Sequence, residues 1–112
     1  MTERAAKYWF DVLQAVQAVD SFVAGMETLN AYLADPKTKS AVERQLAIMG
    51  EALNQLRTHD PAGLPADAAR IIGMRNRLIH SYDNINDRII WSAVHDELPR
   101  LKAHAEARLA AL

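Results

Sequence analysis

Hydrophobic residues recur at intervals of three and four along most of this chain, which places them on one face of an α-helix. The first such segment runs from about Glu3 to Leu33, and a second follows Asp35 and continues to Leu56. The pattern therefore predicts two amphipathic helices in the first half of the chain. Their inward-facing residues are Trp9, Val12, Val16, Val19, Val23 and Met26 in the first helix and Val42, Leu46, Met49, Leu53 and Leu56 in the second.

Asp35 and Pro36 mark the boundary between these two helices. Aspartate is a favourable N-cap, and proline is tolerated at the first helical position because its missing N–H is not needed there. A second helix is therefore predicted to begin at this dipeptide. Residues 40–43, Ser-Ala-Val-Glu, have the spacing of a capping box, so a start one turn later is the alternative.

The segment HDPAGLP, residues 59–65, contains two prolines and a glycine and predicts a loop. A third helix follows from about Ala66. Its apolar stripe runs through Ala68, Ile71 and Leu78, and Arg75 lies in the middle of it. A permanent cation occupies a position where the pattern favours an apolar side chain.

Turn residues return after the third helix, where Asn84 and Asn86 are both candidate N-caps of a last helix. This helix is predicted from about Asp87 toward Leu112, and Pro99 should kink it or break it locally. The fold class that follows is all-α: an up-and-down bundle of four to five helices.

The composition agrees with this prediction. The chain has 112 residues, the size of a single domain spanning residues 1–112, and it is half hydrophobic but only 6% aromatic. Alanine, leucine, glutamate, glutamine and arginine are plentiful, which favours helices.

The charge and the cysteine count narrow the class of protein. The formal net charge is −1, so attraction of an anionic partner such as RNA would need a local positive patch. The absence of cysteine excludes disulfides and thiolate metal sites. No signal-peptide pattern opens the chain, and no stretch approaches about 20 apolar residues, so we expect a cytoplasmic protein with no membrane contact.

Arg75 is the first candidate functional residue, because a guanidinium on an apolar face is costly unless an anion meets it. One interpretation is an internal ion pair with a carboxylate such as Glu51 of the second helix. The other is a cleft at a subunit interface in which Arg75 binds phosphate, for which its planar fork is well suited.

His80 is the second candidate, because imidazole exchanges a proton near neutral pH. It would deprotonate a 2′-hydroxyl of RNA while Arg75 stabilises the charge on the phosphorane, without a metal. On an unbroken helix the two side chains point about 140° apart. They would therefore meet only if the helix ends or distorts near His80, or if the pair forms across a two-fold axis.

The motif resembles the signature of HEPN domains. Arg75, Asn76 and His80 match the Arg–polar–spacer–His pattern, and Tyr82 completes the Arg-x4-His-x-Tyr form of the HepT-type toxins. Three longer segments are similar to the same branch, so the resemblance covers nearly the whole chain. They are FVAGMETLNAYLADPKTKSAVERQLAIMGEAL (22–53), IIGMRNRLIHSYDNIND (71–87) and IIWSAVHDELPRL (89–101).

The resemblance implies a homodimer whose composite cleft holds both copies of the motif, with Arg75 and His80 as catalytic residues of an endoribonuclease toxin. It implies no cofactor. It also implies a partner, a cognate minimal nucleotidyltransferase antitoxin that silences the toxin by transferring AMP to Tyr82. A larger complex of the two proteins is a further expectation from the resemblance.

Other residues near the motif are secondary candidates. Asn76 is a supporting polar residue that could bond His80 or a phosphate, and Glu51 is a candidate orienter of Arg75. Candidate RNA contacts that would form the local positive patch are Arg70, Arg77 and Arg88, although a solvated helix face explains them equally well.

Two alternatives to the nuclease remain. The chain could be a non-catalytic helical partner of a nucleotidyltransferase that binds nucleotide or substrate, which needs Arg75 but not His80. It could also be a plain helical dimer. No metal site is predicted, since His95 and His104 are nine residues apart and lie on opposite helix faces.

Overall fold

The computed structural model of this chain describes residues 1–81, 83 and 85–112, and this part is built from helices without a strand. These described ranges form six α-helices. A short 3-10 turn, Pro61–Gly63, lies between the third and the fourth. The all-α prediction is confirmed. The helices are α1 (Glu3–Val23), α2 (Leu29–Leu33), α3 (Pro36–His59), α4 (Ala68–His80), α5 (Asp87–His95) and α6 (Glu97–Ala110).

The first predicted helix is shorter than its apolar stripe suggested. It ends at Val23, and Gly25 follows with a φ of 84°, a left-handed conformation that stops a helix. The hydroxyl of Thr28 then accepts a hydrogen bond from the Ala31 N–H and begins α2. The prediction of one helix to Leu33 was therefore wrong.

The start of α3 confirms the Asp35–Pro36 boundary. The Asp35 carboxylate accepts hydrogen bonds from the backbone N–H of Thr38 at 3.0 Å and from its hydroxyl at 2.8 Å. Pro36 occupies the first turn. The cap at Asp35 satisfies a free N–H of the first turn, so the helix begins there and not after Ser40.

The predicted break near Pro99 is also confirmed, and it separates α5 from α6 at Asp96. Proline has no N–H for the carbonyl four residues earlier, which is that of His95, the last residue of α5. Asn86 is the N-cap of α5, accepting from the N–H groups of Arg88 and Ile89. Asn84, the other candidate cap, lies outside the described residues.

The long helices α1, α3, α4 and α6 form the bundle. Helix α1 packs against both α3 and α6, and α4 packs against α3. The core is continuous through these helices, and its largest fully buried side chains include Trp9, Leu46, Leu53, Ile71 and Leu98. Every helix in the described ranges is too short or too polar to span a bilayer.

Asp60 ties the loop after α3 to two helices. Its Oδ2 accepts from Trp9 Nε1 of α1 at 2.8 Å and from Arg108 Nη2 of α6 at 2.6 Å. Burial favours the protonated acid, but the hydrogen bonds from Trp9 and Arg108 outweigh it and lower the pKa of Asp60. We call Trp9, Asp60 and Arg108 the Asp60 clamp.

Candidate functional site

Gly50 sets the position of Arg75. It is buried on α3, and a Cβ at this position would collide with the Cβ of Arg75 on α4. Helix α4 therefore approaches α3 more closely than any other residue type at position 50 would allow. This contact brings the Arg75 guanidinium beside Glu51, the residue that follows Gly50.

Arg75 forms the internal ion pair that was one of its two interpretations. Its Nη2 lies 2.9 Å from Glu51 Oε2, and its Nη1 donates to Asn76 Oδ1 at 3.0 Å. Gln55 Nε2 donates to the other oxygen of Glu51 at 2.9 Å. Glu51 thus contacts the guanidinium from α3, and its role in orienting Arg75 stays a prediction.

The Arg75–Glu51 pair is open to solvent. The side chain of Glu51 is 44% exposed and that of Arg75 is 23% exposed, so an anion can reach the guanidinium without unfolding the pair's surroundings. The Arg75 Nε is buried and has no hydrogen-bond partner among the described residues. The pair therefore leaves part of the hydrogen-bonding capacity of the guanidinium unused.

A cleft of about 400 Å³ opens in front of Arg75, between α1, α3 and α4. Three cations and two carboxylates line it, giving a formal charge of +1 on a chain whose total is −1. The predicted patch residues Arg70, Arg77 and Arg88 are not part of this cleft. We call this space the Arg75 cleft; its walls are Lys7, Tyr8, Asp11, Arg44, Ala47, Ile48, Glu51, Ala52, Arg75 and Ile79.

His80 does not share this cleft. It is the last residue of α4, it is exposed, and the helix continues without a break from Arg75 to His80. The two side chains are therefore directed about 140° apart in one protomer. Helix α4 does end at His80, but this ending does not bring the imidazole into the cleft of Arg75 in one protomer. A pair formed across a two-fold axis is the alternative that remains.

The remaining predicted residues are dispersed. Asn76 is exposed and bonds Arg75, not His80. Arg70 Nη1 is 3.0 Å from Glu97, a buried carboxylate of α6, so its predicted RNA contact would compete with an internal ion pair. Arg77 and Arg88 are exposed and line two other clefts, beside the start of α5.

Tyr82 lies outside the described residues, and its role stays a prediction. Within the described ranges, no three His, Asp or Glu side chains lie close enough together to hold a metal ion.

The residues of the Arg75 cleft that were not anticipated include two cations and an aromatic ring: Lys7 and Tyr8 on α1, and Arg44 on α3. They stand 31 to 68 positions before Arg75, and nothing in their local sequence separates them from ordinary helix surface. Only the packing of α1 and α4 against α3 brings them to Arg75.

Comparisons with known proteins agree on one group. The family model described as "Ribonuclease HepT-like" matches residues 12–108. "Probable ribonuclease HepT" of Thermococcus cleftensis is 32% identical over 103 residues, covering 88% of this chain and 90% of that protein. A "Putative RNase" of Methanocaldococcus jannaschii is 28% identical over 108 residues, covering 95% and 98%. A "Putative RNase" of Caldanaerobacter subterraneus subsp. tengcongensis is 32% identical over 96 residues, covering 85% of each. No solved structure matches significantly.

Proposed function

Because this chain belongs to the HepT-like ribonuclease family, we propose that it is a metal-independent endoribonuclease whose active site is built by two subunits. The observation that carries the proposal is the open Arg75 cleft. A guanidinium on the inner face of α4 is held by a half-exposed carboxylate, within a positively charged cleft that an RNA phosphate can enter.

The chemistry requires a base, an acid and a phosphate binder. His80 accepts the proton of the RNA 2′-hydroxyl, whose oxygen attacks the adjacent phosphorus. The bond from phosphorus to the 5′-oxygen breaks, and His80 of the partner subunit donates a proton to that oxygen. The products are a 2′,3′-cyclic phosphate and a 5′-hydroxyl, and Arg75 stabilises the added negative charge of the phosphorane.

The outer face of α4 supports a composite site. Asn76 and His80 are exposed there. Gly73 has open space where a Cβ would be. A glycine inside a helix is destabilising, and no contact within the described protomer requires it. Close approach of a second α4 across a two-fold axis explains it and directs each His80 toward the other subunit.

Control by nucleotidylation is the second part of the proposal. Tyr82 follows His80 by two residues, so AMP attached to its phenol adds an anion and a base next to the motif. That group would compete with RNA for Arg75. A cognate minimal nucleotidyltransferase is the proposed antitoxin and enzyme of this transfer, and a larger complex with it is part of the proposal.

The first experiment measures cleavage of a labelled RNA by the purified chain in the presence of EDTA. We expect cyclic-phosphate ends, and a loss of at least about 100-fold in His80→Ala. Thermal melts verify that the variant is folded. Undiminished cleavage by His80→Ala would remove the mechanism. Nucleotide binding that needs Arg75 but not His80, without cleavage, would support the non-catalytic partner instead.

Subunit mixing tests the composite site. When wild-type chains are exchanged with increasing amounts of His80→Ala chains, a site that needs both histidines works only in wild-type homodimers. The activity per wild-type chain should then fall in proportion to the wild-type fraction. A constant activity per wild-type chain would show that each protomer holds a complete site.

A further inference from the structure

The Arg75 cleft extends well beyond the motif. Its far wall is formed by the first turns of α1 and the first half of α3, where Lys7, Tyr8 and Arg44 lie. None of these residues belongs to the Arg75–Tyr82 motif. Because these residues line the same cleft as Arg75, a polymer with one phosphate at Arg75 can run along this wall.

Arg44 is the least engaged cation of the wall. It is exposed, and no carboxylate of the described residues pairs with it. Lys7 pairs with Asp11 at 2.8 Å, but its side chain is 67% exposed. Exposed pairs of this kind contribute little, so a phosphate can replace the carboxylate. The wall therefore offers two cations to a phosphodiester chain.

Tyr8 supplies an aromatic surface in the same wall. His59 stacks on its ring, with 5.7 Å between the centroids and 28° between the planes, which holds the ring in place. The side chains of Ala47, Ile48 and Ala52 form an apolar lining next to it. An aromatic ring beside cations in a groove is the combination that binds a strand with unpaired bases.

We infer that this wall is a binding subsite for single-stranded RNA, in which Arg44 and Lys7 contact phosphates on one side of the scissile bond and an unpaired base stacks on Tyr8. The inference rests on the proposed function and names its substrate class. Bases in a duplex are stacked on each other and do not present a free face to Tyr8. An unpaired segment is therefore the preferred substrate over a fully paired one.

Binding is measured by fluorescence anisotropy in the His80→Ala background, so that the RNA stays intact. The probes are a labelled single strand of about 12 nucleotides and a hairpin that pairs the same sequence. We expect Arg44→Ala to weaken binding of the single strand several-fold and to reduce the salt slope by about one. The hairpin stem should bind more weakly than the single strand.

Arg57→Ala is the matched control for Arg44→Ala. Arg57 is also exposed on α3, bonds only the Asn54 side chain at 3.3 Å, and lies outside the cleft. Its removal changes the net charge equally but should change the affinity less than about twofold. Equal effects of the two variants on affinity and salt slope would overturn the phosphate contact.

Tyr8→Phe and Tyr8→Leu separate stacking from other contributions. The first keeps the ring and should retain the affinity, whereas the second should weaken binding about tenfold. Thermal melts identify any loss of folding. If both variants lose affinity equally, or if hairpin and single strand bind alike, the base subsite is wrong.

The cleavage assay keeps this inference separate from the proposed function. Normal cleavage together with normal binding by the Arg44 and Tyr8 variants overturns the subsite and leaves the nuclease intact. Binding that depends on Arg44 and Tyr8, in a chain that never cuts RNA, supports the subsite and overturns the nuclease.

Discussion

Two arginine–carboxylate clusters of this bundle look alike in outline and differ in what surrounds them. In the Asp60 clamp, the carboxylate is 12% exposed and one oxygen accepts from both Trp9 and Arg108. In the Arg75–Glu51 pair, the carboxylate is 44% exposed and the Arg75 Nε has no partner among the described residues. The first is enclosed and saturated with hydrogen bonds, and the second is open and incomplete.

A glycine stands behind each cluster. A Cβ at Gly63 would collide with the Asp60 carboxylate, as one at Gly50 would collide with Arg75. Close packing is thus common to both regions. The solvent access of the carboxylate is what differs. Removing one partner of an enclosed pair is destabilising, because the other group loses its hydrogen bonds, and such a pair leaves no site for another molecule. An open pair contributes little stability and leaves its cation available.

Removing Asp60 should have the largest effect on stability. In Asp60→Ala, the buried Trp9 Nε1–H and the Arg108 guanidinium lose their acceptor, and we expect the free energy of unfolding to fall by about 2–3 kcal/mol. Urea denaturation measures the change. Glu51→Ala, the corresponding truncation of the open pair, should cost less than about 1 kcal/mol. Similar losses in the two variants would contradict the distinction between the clusters.

The pH dependence provides an internal control for this prediction. Because the pKa of Asp60 is lowered in the folded state, the unfolded chain binds more protons in acid. The stabilisation by Asp60 is therefore present above its unfolded pKa of about 3.9 and is lost as the pH falls through the lower, folded pKa. Asp60→Ala should show a shallower acid limb than the wild type.

The sequence predicts a helix boundary best where local chemistry sets it. Asp35 with Pro36 begins α3, Asn86, one of two candidate caps, begins α5, and the break expected near Pro99 occurs at Asp96. The break at Gly25 was missed because the apolar stripe continues through Met26. An apolar stripe indicates which residues face the core. Because the same spacing can continue across a turn, the stripe does not indicate where a helix ends.

Residues of the candidate site were predicted only where they are close to the motif in sequence, or where a charged side chain such as Arg75 needed a partner. Glu51 was named because an arginine on an apolar face needs an anion, and the structure places its carboxylate 2.9 Å away. Lys7, Tyr8 and Arg44 could not be found, because tertiary packing alone joins α1 and α3 to the motif helix. Local spacing contains no information about that packing.

Gly50→Ala should have the next largest effect. The added methyl group meets the Cβ of Arg75, so α4 must move away from α3, and we expect a loss of about 1–2 kcal/mol in the free energy of unfolding. The matched control is Gly73→Ala in α4, where nothing lies within 4 Å of the new Cβ. Within one protomer that variant should gain about 0.5–1 kcal/mol from helix propensity, whereas the added methyl group should weaken association of the proposed dimer. A neutral Gly50→Ala would contradict the close approach that positions Arg75.

Glu51→Gln should change stability least, by less than about 0.5 kcal/mol, because the open pair contributes little and the amide still accepts a hydrogen bond. Glu51→Gln should have larger effects on function, and its effects on RNA binding and on kcat should be opposite. Loss of a negative charge from the cleft should tighten RNA binding, whereas a less well-oriented Arg75 should lower kcat about tenfold.

Asp11→Asn is the matched control, because Asp11 lines the same cleft and pairs with Lys7. It should also tighten RNA binding but leave kcat unchanged, since its carboxylate does not orient Arg75. Equal loss of kcat in both variants would assign the effect to the charge of the cleft and remove Glu51 as the residue that positions the guanidinium.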